Sequence, residues 1–276
     1  MPSATIVGVC YQTDGRGREL YLISRLRRFM ERVDGKIVFP CELSLLAGLV
    51  LVAFAVCLFV RSGYGVTVLA SIPLMLSYTF PIMDFGTWNI IYQFVLICVA
   101  ISITRRPNMG YAISMAEAVL FGFFLNAMKA LLADIPLSFE LSLVYLFVAH
   151  VLLFFGVAFF MRSYIPLLPC DVFIRDVVIT YRIKYRTFKT LFDVTCMLIS
   201  VAIGLLVFGH IVDIGIGTVI SACTTGYFVA RITTRVYDKH FYFRPITRIC
   251  RRYLSDDAPC KAESFRDRSD YDNRYK

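Results

Sequence analysis

Ionisable and hydroxyl side chains set inside long apolar runs are the groups of this sequence that could do chemistry. Glu117 lies within the run 109–132, and Asn126 follows nine positions later. A charge at membrane depth is costly and marks a candidate functional site, unless the side chain lies near a helix end and reaches the interface. At about 100° per residue the two fall on opposite faces, so one straight helix cannot turn both to a single pore. Asp171 and Arg175, at i and i+4, read as a local ion pair on an amphipathic stretch that could also gate an inner mouth. Asp193 opens another apolar run, either as a gating carboxylate or as a helix-end anchor. The run from Gly215 to Gly226 is small and polar, with Thr218, Ser221 and Thr225 on one helical face. That face suits close helix packing, or a hydrogen-bonding wall for a substrate. Glu117, Asp171, Arg175, Asp193, Gly215, Gly217, Thr218 and Ser221 are therefore the candidate substrate-binding residues.

Enzyme chemistry has no sequence signal. His150, His210 and His240 lack metal-ligand spacing, and the nine cysteines form no CxxC. There is no P-loop, no GxSxG and no HExxH. No cofactor and no metal are expected.

The elements that must position these residues follow from composition. The 276 residues are 58% hydrophobic and 18% charged, with a mean hydropathy of +0.67. Soluble domains carry about 25% charged residues, so this chain reads as an all-α polytopic membrane bundle. Apolar runs predict six spans at 42–60, 89–104, 109–132, 139–161, 190–208 and 214–232. They lack the alternation of barrel strands. Arginines and lysines crowd the residues before 37, the stretch 162–189 and the residues after 231, while 62–88 and 209–213 carry none. Basic loops thus alternate with neutral ones, which predicts six spans with both ends cytoplasmic. The first 40 residues do not read as a secretory signal. The net charge of +9 sits in the cytoplasmic segments, where it attracts anionic lipid and requires no nucleic acid. Residues 19–33 place apolar side chains opposite arginines, as an interfacial helix does, and the tail from 255 is polar and reads as disordered.

Two stretches are too short to be spans: 66–80, interrupted by Pro73, and 171–184, which is amphipathic. Self-comparison accounts for both. Residues 85–93 (FGTWNIIYQ) align with 185–193 (YRTFKTLFD), Arg61-Ser62 with Arg162-Ser163, and Gly122-Phe123-Phe124 with Gly226-Tyr227-Phe228. Gln93 thereby matches Asp193, a pair that would enter the membrane from opposite sides. Three spans per unit is an odd number, so the second unit must be inverted, the architecture of many secondary transporters. The expected organisation is a basic arm (1–40), two membrane repeats (41–135 and 136–235) and a basic tail (236–276).

The second half resembles the YczE/YyaS/YitT group of bacterial integral membrane proteins. The resemblance rests on Leu168 to Asp176 (LPCDVFIRD), Lys189 to Asp193 (KTLFD) and Ile214 to Ala222 (IGIGTVISA). It covers about 70 residues well; the first half departs, with Tyr111 to Met115 (YAISM) in place of the Gly-Thr segment. The resemblance implies a duplicated core in a bacterial cytoplasmic membrane and supplies no catalytic residues. Two functions compete. One is a secondary transporter or exporter of a small solute, working by alternating access at the repeat interface. The other is a non-transporting scaffold that binds a partner protein through arm and tail. Beside lipid and solute, a second copy of the chain (a homodimer) is left open as a partner.

Overall fold

Helices in this chain stop where apolar runs meet glycine, proline or charge. The computed structural model describes residues 32–33, 36–105, 109–135, 138–163, 168–183 and 185–244. The expected interfacial helix at 19–33, apart from its last two residues, and the tail from 255 lie outside them. The helices are α1 (Cys41–Ser62), α2 (Val68–Thr79), α3 (Phe85–Thr104), α4 (Met109–Leu131), α5 (Phe139–Arg162), α6 (Pro169–Tyr181), α7 (Tyr185–Phe208) and α8 (Ile216–Ile232). The end of α1 shows the local logic: Gly63 takes a left-handed conformation (φ +71°) and its N–H returns to the Val60 carbonyl. Pro73 does not interrupt α2. It is buried as the sixth residue, where it deprives only one carbonyl of a partner, and α3 and α7 pack around the helix.

Five helices, α1, α3, α4, α5 and α7, are long and apolar enough to cross a membrane. The protein is a multi-pass helical membrane bundle. The sixth expected span, α8, has only 17 residues, yet it continues through a π-helical turn, Thr233–Tyr237, into Asp238–His240. It runs beside α5 in the same direction. Gly217 faces Leu146, Phe228 stacks on Phe154 at 4.9 Å, and Tyr237 lies on Phe159 at 4.4 Å.

A small sheet lies at the end of the bundle that α8 reaches. The strands are β1 (Arg32–Val33), β2 (Lys36–Pro40) and β3 (Phe241–Arg244). β1 pairs antiparallel with β2, and β2 pairs parallel with β3 from Ile37↔Phe241 to Pro40↔Arg244. β2 leads directly into α1 and β3 follows α8, so the chain enters and leaves the bundle at one end. The expected six spans would bring both strands to one side, whereas α8, at 17 residues, is shorter than the five helices that meet the length of a crossing. This sheet was not expected. Residues 36–40 belong to the end of the bundle, not to a free arm.

Helix neighbours come in matched pairs. α1 and α5 run antiparallel in the closest contact of the bundle: Ser44 Oγ donates to the Phe159 carbonyl at 2.7 Å, and the Phe59 and His150 rings meet at 4.7 Å. Gly48 and Gly156 permit that approach, since a Cβ at Gly48 would sit 2.8 Å from the Phe160 nitrogen. α4 lies along α1 in the same direction, with the Cys57 thiol on the Leu125 carbonyl at 3.4 Å, much as α8 lies along α5. The short helices cross over. α6 packs on α3, where the Cys170 N–H donates to Gln93 Oε1 at 3.0 Å, and α2 packs on α7, where Ser200 Oγ donates to Ser71 Oγ at 2.8 Å.

Candidate functional site

At the end of the bundle away from the sheet, α1 and α4 finish and α5 begins. Their ends, with α2, leave a cavity of about 720 Å³, within the range of small-molecule sites. Arg61, Lys129, Ser62, Tyr78, Ser138 and Ser142 supply its polar lining, and Cys57, Leu74, Phe85 and Leu132 are among its apolar walls. Arg61 is held in place by its Nη2, which donates to the carbonyls of Ala133 (3.0 Å) and Ile135 (2.5 Å). Lys129 stands exposed in the last turn of α4, where a cation suits the helix dipole. Tyr78 reaches the other way and donates to Asp213 Oδ2 at 2.7 Å. Burial pushes the Asp213 carboxyl above the usual carboxylate range, and the Tyr78 hydrogen bond opposes that shift.

At the sheet end the corresponding space is filled. Tyr237 is only 2% exposed; its ring packs on Phe159, Phe241 and Phe243, and its hydroxyl donates to the Phe155 carbonyl at 3.2 Å. Phe39 of β2 joins through Phe159 at 5.6 Å and Phe241 at 5.8 Å. One end of the bundle is therefore hollow and basic, and the other is closed by tilted and edge-on rings.

A second polar centre lies at the start of α7. Lys189 Nζ donates to Asp193 Oδ1 at 3.0 Å, one turn along the same helix. Asp171, in the first turn of α6, shares the field of the same ammonium. Burial pushes the Asp171 carboxyl up, Lys189 pulls it down and Asp193 adds a further upward push. Two carboxylates thus share one cation beside Gln93, which bonds the Cys170 backbone. No group of three metal-ligating side chains occurs among the described residues.

A family model matches residues 41–234, which begins at the first residue of α1 and ends just past α8. The chain belongs to the family of unknown function DUF6198. The matched region is the helical core, so β2, Tyr237 and β3 lie outside it. No curated protein and no solved structure matches this chain.

Within the DUF6198 core, the glycine-rich segment does backbone work. Gly217 N–H donates to the Tyr64 carbonyl at 2.9 Å, and Thr218 Oγ1 accepts from the Val66 N–H at 3.1 Å. A Cβ on Gly215 would meet the Tyr64 carbonyl at 2.5 Å, and one on Gly65 (φ +127°) would meet Thr218 Oγ1 at 2.4 Å. Gly215, Gly217 and Thr218 therefore dock the α1–α2 loop onto the start of α8. Ser221 and Thr225 donate to carbonyls of their own helix, at 2.9 and 2.5 Å, as packed hydroxyls do.

The other candidates spread out. Glu117 is buried in α4 at 4% exposure, and Asn126 accepts from the Gly86 N–H at 2.7 Å. The Asp171–Arg175 ion pair is replaced: Arg175 Nε donates to Asp176 Oδ1 at 3.1 Å, and Asp176 also accepts from Tyr111. The reason is geometric, because Arg175 pairs with its chain neighbour Asp176, which Tyr111 of α4 engages, while Asp171 lies in the field of Lys189 of α7. Asp171 and Asp193 are brought together by Lys189, and none of the eight candidates lines the cavity. Arg61 and Lys129, which do, were not among the candidates. Arg61-Ser62 already carried a signal, since it recurs as Arg162-Ser163.

Proposed function

We propose that the protein is a secondary transporter of a small solute, built as two inverted three-span repeats that expose a central path alternately to either side. The observation that carries this reading is the mirrored contact pattern with unlike ends. α1 and α5 are antiparallel; α1 with α4 matches α5 with α8; α3 with α6 matches α7 with α2. Cys57 against Leu125 finds its counterpart in Ala158 clustered with Val229, which are the positions the sequence alignment pairs. Yet the end holding Arg61 is hollow, while the end holding Arg162 is closed around Tyr237. Two near-equivalent halves in unlike packing support alternating access.

On this reading the basic sheet end faces the cytoplasm, as the charge alternation favours, and the cavity faces outward. The resemblance to the YczE/YyaS/YitT group adds a bacterial cytoplasmic membrane as the setting. Purified protein in liposomes, tested for solute uptake under imposed proton and sodium gradients, decides the matter. Gradient-driven flux above empty liposomes is expected. Absence of flux for every solute and gradient, with protein correctly inserted, overturns it.

A further inference from the structure

We propose that the cavity binds a small organic anion, a carboxylate or phosphate ester on an apolar body, between Arg61 and Lys129. As the class of the cargo this rests on the transport reading; as a binding site it stands alone. Two cations line the cavity and no Asp or Glu does. Asp84, Asp134 and Glu140 are chain neighbours of lining residues but lie exposed and outside the lining, and Asp213 is engaged by Tyr78. A charge in a partly desolvated cleft bounded by helices interacts far more strongly than in water, so a pair of cations in the lining selects for an anion.

Arg61 is pre-oriented. Its Nη2 is tied to two carbonyls at the end of α4, and its Nε is buried without a hydrogen-bond partner. With both Nη2 hydrogens on carbonyls, the fixed guanidinium keeps its Nη1 hydrogens for an anion at little entropic cost. Lys129 lines the same cavity as an exposed ammonium, and Ser138 and Ser142 border the same space. Leu74, Phe85 and Leu132 face an apolar body rather than a bare inorganic ion. An anionic lipid headgroup shares this chemistry. A water-soluble anion fits better, because Lys129, Ala133 and Ser138 at the rim are exposed and belong to the last turn and connecting loop of α4 rather than a lipid-facing helix flank.

The test uses the full chain in nanodiscs of neutral phosphatidylcholine, titrated with hexanoate, hexyl phosphate, hexylamine and hexanol. The sole tryptophan, Trp88, is three residues from Phe85 and bonds the Phe80 carbonyl at 3.2 Å, so its fluorescence reports on this region. Saturable change with hexanoate or hexyl phosphate, and not with hexylamine or hexanol, is expected. Lys129→Gln should weaken binding roughly tenfold, the scale of one charge-assisted contact. Arg61→Gln should weaken it further, and Lys239→Gln, at the sheet end, should leave it unchanged. Arg61 also ties down α4, so the exposed Lys129 is the deciding variant if Arg61→Gln fails to fold. Equal response to hexylamine, or wild-type affinity in Lys129→Gln, overturns the proposal. So does a response to discs containing phosphatidylglycerol with none to hexanoate or hexyl phosphate, which would assign the site to lipid. Anion binding without flux would sink the transport reading alone, and flux of a cation without anion binding would sink this one alone.

Discussion

Lys189 bonds Asp193 and lies in the field of Asp171, and that arrangement ranks the effects of substitutions around it. Replacing Lys189 by Met leaves Asp171 and Asp193 facing each other with no cation, whereas Asp193→Asn leaves one Lys and one Asp still paired. Removing one partner of a buried pair is more damaging than the pair itself is stabilising. The side chains keep 27% and 29% exposure, so the expected loss for Lys189→Met is about 1–2 kcal/mol rather than the full buried penalty. Asp193→Asn should cost less, and thermal unfolding in detergent measures both; equal melting temperatures would contradict that ranking. Asp171 adds a pH signature. Burial raises its carboxyl above the unfolded value, so its neutral form is favoured by folding, and its contribution is fully present below the unfolded pKa. That contribution fades as pH rises through the folded pKa. Asp171→Asn, which stays neutral, should therefore gain stability relative to wild type as pH climbs above about 4, the ordinary carboxylate value from which the upward shift departs. Melting curves across that range should diverge; a constant difference would contradict the raised value.

At the scale of elements, α3 and α4 meet at Gly86 and Gly122, while their counterparts α7 and α8 barely touch. A Cβ on Gly86 would lie 2.0 Å from the Gly122 carbonyl, so Gly86→Ala must push the helices apart. Overpacking of this kind costs about 1–3 kcal/mol. Gly226, aligned with Gly122 in the sequence, is exposed, and Gly226→Ala should be nearly neutral. Comparing unfolding midpoints of the two variants checks the asymmetry. Much of this layout was legible beforehand. Five expected spans overlap the long apolar helices, because hydropathy and the charged residues that bound a run are local signals. The span drawn from residue 89 starts four residues earlier as a helix, at Phe85, where packing at Gly86 against Asn126 holds the first turn. The sheet was invisible, since its pairing of residues 37–40 with 241–244 depends on where the whole bundle returns the chain. The site was legible in part. Asp171 and Asp193 stood out as charges at helix starts, but Lys189 passed as one more topological cation. The cavity could not be read at all, because it is made by four helix ends distant in sequence.

For the whole molecule, the sheet does more than close one end. It joins the strand that enters α1 to the strand that leaves α8, one helix from each half, and Phe241 and Phe243 set their rings against Tyr237 while Phe39 packs on both. If the halves rock against each other to open this end, β2 and β3 must separate or move as a unit with the rings. A covalent tie between them distinguishes a moving closure from a permanent one. Val38 and Tyr242 are partners in the parallel register, a spacing that a disulfide can bridge. In a background with the native cysteines replaced, Val38→Cys with Tyr242→Cys should cross-link on oxidation and stop flux in liposomes, and reduction should restore it. Binding of hexanoate at the far cavity should persist in the cross-linked protein, since that end is already open. Unchanged flux with the disulfide fully formed would show that this closure stays shut throughout the cycle, and the path would then have to leave the bundle elsewhere.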